Sequence, residues 1–208
     1  NQDLIRLEIT RASILNGDVV AYQLASKIVY IQISSISSQV SSDVAIALAK
    51  FPHTNGIVLD LRDNPGGLLN VAVDIASQFL TEGTVVPYSR KNDSEVILES
   101  TKKNPDSAPM TVLINRSTAS AAEVIAGALQ DRNRAVILGE KSYGKGTVQE
   151  IIDLVDGSKL EITIGKYRTP NGRIIDLEGS APDLLVPDNQ VIEKALLVLS
   201  GLSAISNK

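Results

Sequence analysis

The sequence predicts an α/β fold with a core of parallel β-α-β units. Two observations carry this. Between residues 57 and 139, short apolar runs of strand length alternate with longer stretches of helical periodicity. The chain is also long enough and apolar enough to be globular: 208 residues, 43% hydrophobic and 21% charged, suit one medium domain or a domain with a small appendage.

The elements follow in order. LIRLEIT (4–10) alternates and reads as a strand, and IVYIQIS (28–34) reads as a second, apolar at every other position. After a serine-rich stretch, Val40, Val44, Ile46, Ala47 and Leu48 recur at helical spacing, predicting a helix over 40–51 that Pro52 to Gly56 break. IVLDL (57–61) is a short buried strand, RDNPGG (62–67) a turn-rich loop and LLNVAVDIASQFL (68–80) a helix, stopped near Gly83. TVVPYSR (84–90) and EVILES (95–100) read as two strands around a polar KNDS turn. MTVLIN (110–115) is another buried strand, RSTAS (116–120) a turn and AAEVIAGALQD (121–131) an alanine-rich helix. Glu123 lies in its first turn, where a negative charge favours the helix dipole. AVILG (135–139) is a strand, KLEITIGKYRT (159–169) antiparallel strand material, and an amphipathic helix closes the chain over about 189–200. No internal repeat or low-complexity segment is present.

Composition removes several kinds of chemistry. With no cysteine there is no disulfide, thiol nucleophile or cysteine-ligated metal. The single histidine, His53, rules out a multi-histidine zinc site, and its setting in FPHTNG predicts a solvated loop residue. A net charge of −4 without a basic tract or aromatic cluster argues against nucleic acid as a partner. No apolar run reaches the ~18 residues of a membrane span. The chain opens at Asn1 with no signal-peptide pattern, so any targeting segment is expected to be missing from it.

GEKSYGKGTVQE (139–150) matches most of a phosphate-binding loop, but Gly146 stands where that pattern needs a hydroxyl. The residues after it, TVQEIIDLVDG, are strand-like, so the helix N-terminus that would hold a phosphate is not expected. Lys145 then invites another reading. In a serine hydrolase whose base is not histidine, lysine can take the proton. A lysine starts near pKa ~10.4, and burial lowers it by up to ~3–5 units. Small neighbours, Gly144 and Gly146, permit such burial. The matching serine belongs at a strand–turn–helix junction, and Ser120 occupies one, although a serine there also serves as a plain helix cap. NPGG (64–67) is a second strand-to-helix turn, able to aim a backbone N–H at a neighbouring site or simply to connect β to α.

Taken together, IVLDLRDNPGG (57–67), NRSTASAAEV (115–124) and GEKSYGKGTVQE (139–150) resemble the carboxyl-terminal processing peptidases, the tail-specific and photosystem-protein-processing serine proteases. IVYIQISSI (28–36) and TPNGRIIDLEGSAPDLLVP (169–187) are similar to that family as well, though GSAPD (179–183) departs from its usual glycine-isoleucine-x-proline-aspartate. The resemblance implies Ser120 as nucleophile, Lys145 as general base and Gln149 as the residue that orients the lysine. It implies oxyanion donors at the backbone N–H groups of Gly66 and Ala121. The implied fold is a crotonase- and Clp-protease-like β-α-β spiral with additional antiparallel strands. The implied activity is endopeptidase cleavage near protein C-termini through an acyl-enzyme, with no cofactor and no metal. A protein or peptide substrate is bound through its C-terminal region. A non-catalytic peptide- or hydrophobic-ligand-binding module of the same fold is the competing reading. Residues 1–20 are expected to be the strand and linker adjoining an absent PDZ domain, and 21–208 the catalytic domain. Export to the periplasm, cell envelope or thylakoid lumen is implied too. The oligomeric state is left open.

Overall fold

A computed structural model describes residues 17–90 and 95–206, so the strand expected at 4–10 and the KNDS turn lie outside the described residues. The strands are β1 (Val19–Gln23), β2 (Ile28–Ile33), β3 (Gly56–Asp60), β4 (Gly83–Arg90), β5 (Glu95–Ser100), β6 (Met110–Ile114), β7 (Val136–Gly139), β8 (Thr147–Asp153), β9 (Lys159–Tyr167) and β10 (Leu184–Leu185). The helices are α1 (Val40–Lys50), α2 (Leu69–Ser77), α3 (Ala121–Asp131) and α4 (Val191–Ser206).

Strand alternation explains how these elements stack. Every residue of β3 and of β6 is buried, so both strands are covered on two faces. Val29, Ile31, Ile33, Ile57, Leu59, Val112, Ile114 and Ile137 join one buried cluster with the inner sides of α1, α2 and α3. Their neighbours Ile28, Tyr30, Val58, Leu113 and Leu138 join a second cluster with Val191, Ala195 and Leu199 of α4. Period-2 geometry thus builds a three-layer sandwich from continuously apolar strands. Full burial of each such side chain stabilises by about 1.5–3 kcal/mol.

The six-stranded sheet has the order β1-β2-β3-β6-β7-β10. β2, β3, β6, β7 and β10 run parallel, and β1 pairs antiparallel to β2. A second, antiparallel sheet has the order β5-β4-β9-β8. The crossovers from β2 to β3 and from β3 to β6 carry the predicted helices, as the α/β reading requires. β1 and the two-residue β10 form where no strand was expected, and two helices differ in length. The helix expected over 68–80 is shorter, because Phe79 and Leu80 bury their side chains beyond its last turn. The last helix runs on to Ser206, because Leu199 and Leu202 continue its apolar stripe against the sheet.

Candidate active site

β3, β6 and β7 end at the same edge of the sheet, where open α/β folds bind ligands. The loops leaving these three strands are tied to one another. Thr118 Oγ1 donates to the Leu61 carbonyl at 2.8 Å, and the Ala119 N–H donates to the Asn64 carbonyl at 2.9 Å. The Tyr143 N–H in turn donates to the Thr118 carbonyl at 2.9 Å. Beneath this edge, wholly buried Asp60 receives the Tyr30 hydroxyl at 2.7 Å and the Arg62 Nη2 at 2.6 Å, anchoring the start of the β3 loop. Burial, with the Asp60 hydrogen bond and charge adding to it, raises the Tyr30 phenol pKa well above its usual value.

The chain enters α3 through Ser120 in an unusual conformation, φ 56° and ψ −123°. For a non-glycine residue this is strained by about 1–3 kcal/mol, and such strain collects at functional positions. It is the sharp strand-to-helix elbow that pushes a serine Oγ into the open. Gly66 makes room for the elbow: a Cβ added there would lie 2.8 Å from Ser120 Cβ and 2.9 Å from the Ala121 nitrogen.

Glu123 fastens the elbow to the lysine-bearing loop. Its side chain is fully buried and accepts four hydrogen bonds. Oε2 receives the N–H groups of Ser120 at 2.8 Å and Lys145 at 2.9 Å. Oε1 receives the Ser142 hydroxyl at 2.5 Å and the Gly144 N–H at 2.8 Å. One carboxylate therefore fixes Ser120 and Lys145 relative to each other through their backbones. Gly146 lets the same loop lie flat: a Cβ there would fall 2.2 Å from the Asp176 nitrogen.

Ser120, Ala121 and Gln149 line a cavity of about 170 Å³, with Gly67, Leu68 and Tyr167 among its other walls. Lys145 is half-buried and is not among the residues that line this cavity, and no hydrogen bond joins its ammonium to Ser120 Oγ among the described residues. The expected donor at Gly66 is differently employed: its N–H donates to Asn64 Oδ1 at 2.8 Å. The Gly66 carbonyl and the Leu68 N–H both face Ile36, each at 2.9 Å, so the N–H of Gly67 between them faces away. Neither that N–H nor the one of Ala121 has an acceptor among the described residues. His53 is an exposed loop residue, away from this cavity. The residues after Gly146 form β8, so no helix N-terminus follows the glycine-lysine pair.

Three contributors were not legible as functional from the sequence. Glu123 reads there only as a favourable first-turn charge, and Asn64 only as a turn residue. Tyr167 sits in strand-like KYRT with no spacing to mark it. Here it is 2% exposed, reaches the Ser120 cavity and donates its hydroxyl to the Lys145 carbonyl. Burial, and after it the Glu123 charge, push its pKa well above the usual phenol range.

Residues 27–186 match peptidase family S41. The chain belongs to that family. Over 193 residues, this S41 chain is 37% identical to the carboxyl-terminal-processing protease of Synechocystis sp., covering 86% of its own length and 45% of that protein. It is 40% identical over 158 residues to carboxyl-terminal-processing peptidase 1, chloroplastic, of Arabidopsis thaliana, covering 74% of itself and 32% of the relative. The S41 chain thus spans less than half the length of either. Among solved structures, the photosystem II D1 C-terminal processing protease superposes with a TM-score of 0.76 at 30% identity, over 91% of this chain and 54% of that one. Mature CPAF in complex with lactacystin superposes with a TM-score of 0.65 at 14% identity, a likeness of fold. These neighbours bear out the α/β fold expected from the resemblance.

Proposed function

We propose that this chain is the catalytic core of a serine endopeptidase that cuts proteins near their C-termini, with Ser120 as nucleophile and Lys145 as general base. The observation that carries the reading is the strained elbow at Ser120, which opens on a cavity between two backbone N–H groups that have no acceptor among the described residues. Lys145, in its amine form, takes the hydroxyl proton as Ser120 Oγ attacks the scissile carbonyl carbon. The N–H groups of Ala121 and Gly67, rather than Gly66, receive the oxyanion, and the dipole of α3 adds to them. The C–N bond then breaks, and the Lys145 ammonium returns the proton to the leaving amine. Water attacks the acyl-enzyme as Lys145 takes its proton, the acyl C–Oγ bond breaks, and the Lys145 ammonium returns the proton to Ser120 Oγ, freeing the acid product and restoring the amine. Gln149 lines the same cavity, and the role of orienting the lysine is given to it by family resemblance. β8 lies at the edge of the second sheet, beside Ser120, and offers backbone groups to an extended substrate tail. By family resemblance the enzyme works outside the cytoplasm.

The test uses the 208-residue chain with a fluorophosphonate that labels reactive serines, alongside peptide cleavage followed by mass spectrometry. A single adduct on Ser120 is expected, lost in Ser120→Ala and strongly slowed in Lys145→Ala. Labelling or cleavage at full rate in Lys145→Ala would overturn the assignment of the base.

A further inference from the structure

Two buried side chains, Glu123 and Tyr167, hold the backbone of the loop that carries Lys145. Glu123 takes the Lys145 N–H at 2.9 Å. The Tyr167 hydroxyl donates to the Lys145 carbonyl, and the Tyr167 N–H donates to the Gly146 carbonyl at 3.0 Å. Tyr167 thus grips two successive peptide carbonyls of the loop. Its position is fixed by the sheet, where it ends β9 and pairs with Tyr88 of β4. Its phenol also lines the cavity that Ser120 lines, close enough for the Ser120 hydroxyl to bias its ionisation. A ring needed only for packing would be served by phenylalanine, since burying a hydroxyl has a desolvation cost that needs a partner to offset it.

We propose that Tyr167 is a positioning residue for the Ser120–Lys145 pair: its hydroxyl pins the base-bearing loop through the Lys145 carbonyl while its side chain lines the cavity of the nucleophile. This rests on the Ser-Lys reading. A lysine ammonium sits on a flexible four-carbon stem, so holding its backbone at both N–H and C=O removes the freedom at the root of that stem. The geometry also separates Tyr167 from the role of base. Burial and the Glu123 carboxylate keep the phenol protonated at any working pH, with the Ser120 hydroxyl acting weakly in the other direction. It is a fixed donor, and proton transfer is left to the lysine.

The experiment compares the wild-type chain, Tyr167→Phe and a chain carrying 3-fluorotyrosine at 167, each checked for fold by circular dichroism. Tyr167→Phe is expected to slow fluorophosphonate labelling of Ser120, and to lower kcat on a peptide, by about tenfold to a hundredfold with KM unchanged. The fluorotyrosine chain, which keeps the hydroxyl, should label near the wild-type rate. Tyr88→Phe removes the neighbouring hydroxyl and should change neither. Equal labelling rates per folded molecule in wild type and Tyr167→Phe would overturn the proposal, as would a fluorotyrosine chain as slow as phenylalanine. If the wild-type chain took no label at Ser120, the nucleophile itself would be misassigned and this inference would fall with it.

Discussion

Replacing Glu123 with glutamine should destabilise the fold far more than a change of one atom usually does. The carboxylate is fully buried and accepts two donors on each oxygen. An amide has one accepting oxygen, so one pair of donors must face its NH2 group. The less costly orientation sets that group against Ser142 and Gly144, because the Ser142 hydroxyl can rotate. The Gly144 N–H cannot, and an unsatisfied buried group of this kind costs about 1–3 kcal/mol. The two bonds kept by the amide oxygen also lose their charge assistance, about 1 kcal/mol each. The sum is about 3–5 kcal/mol, or roughly 6–20 °C in Tm for a chain of this size. Urea unfolding followed by circular dichroism measures it. A loss within about 0.5 kcal/mol, the range of an ordinary surface change, would refute the claim that Glu123 is the buried hub of the site.

Two further outcomes are expected. Because Ser120 holds φ 56°, Ser120→Gly relieves backbone strain that Ser120→Ala keeps. Both should be inactive, and the glycine variant should be the more stable by about 1 kcal/mol in urea; equal stability would mean the elbow is unstrained. The alkaline limb of stability should depend on Tyr30. Its folded pKa is raised, so its contribution is complete below the unfolded value of ~10 and declines as pH climbs above it. Tyr30→Phe should flatten that decline by about 0.7 kcal/mol per pH unit at pH ~10, rising towards about 1.4 a unit higher, and identical slopes in the two proteins would contradict the assignment.

How much of the site could be read without coordinates differs residue by residue. Ser120 was legible because a serine between a buried strand and an alanine-rich helix has few other places to sit. Lys145 was legible because glycines flank it, and Gly146 does abut the Asp176 backbone. Gly66 shows the limit. Both glycines of NPGG are needed, but which N–H is free depends on Asn64 turning back on one and Ile36 bridging across the other. The Asn64 contact is a local Asx turn spanning two residues, but the Ile36 contact joins distant segments, and a turn sequence carries no record of that one.

By itself the sequence determined the layers of this protein, since apolar runs of strand length alternating with helical periodicity can bury themselves in few other ways. It also determined the elbow, because local turn chemistry and helix propensity act within a few residues. The tertiary structure alone decided that Glu123 would join the Ser120 turn to the Lys145 loop, and that Tyr167, from the second sheet, would bond to that same loop. Such roles depend on which donors lie nearby once three strand ends are brought to one edge. The same glutamate or tyrosine, elsewhere on the same elements, would have been a surface charge or a core ring.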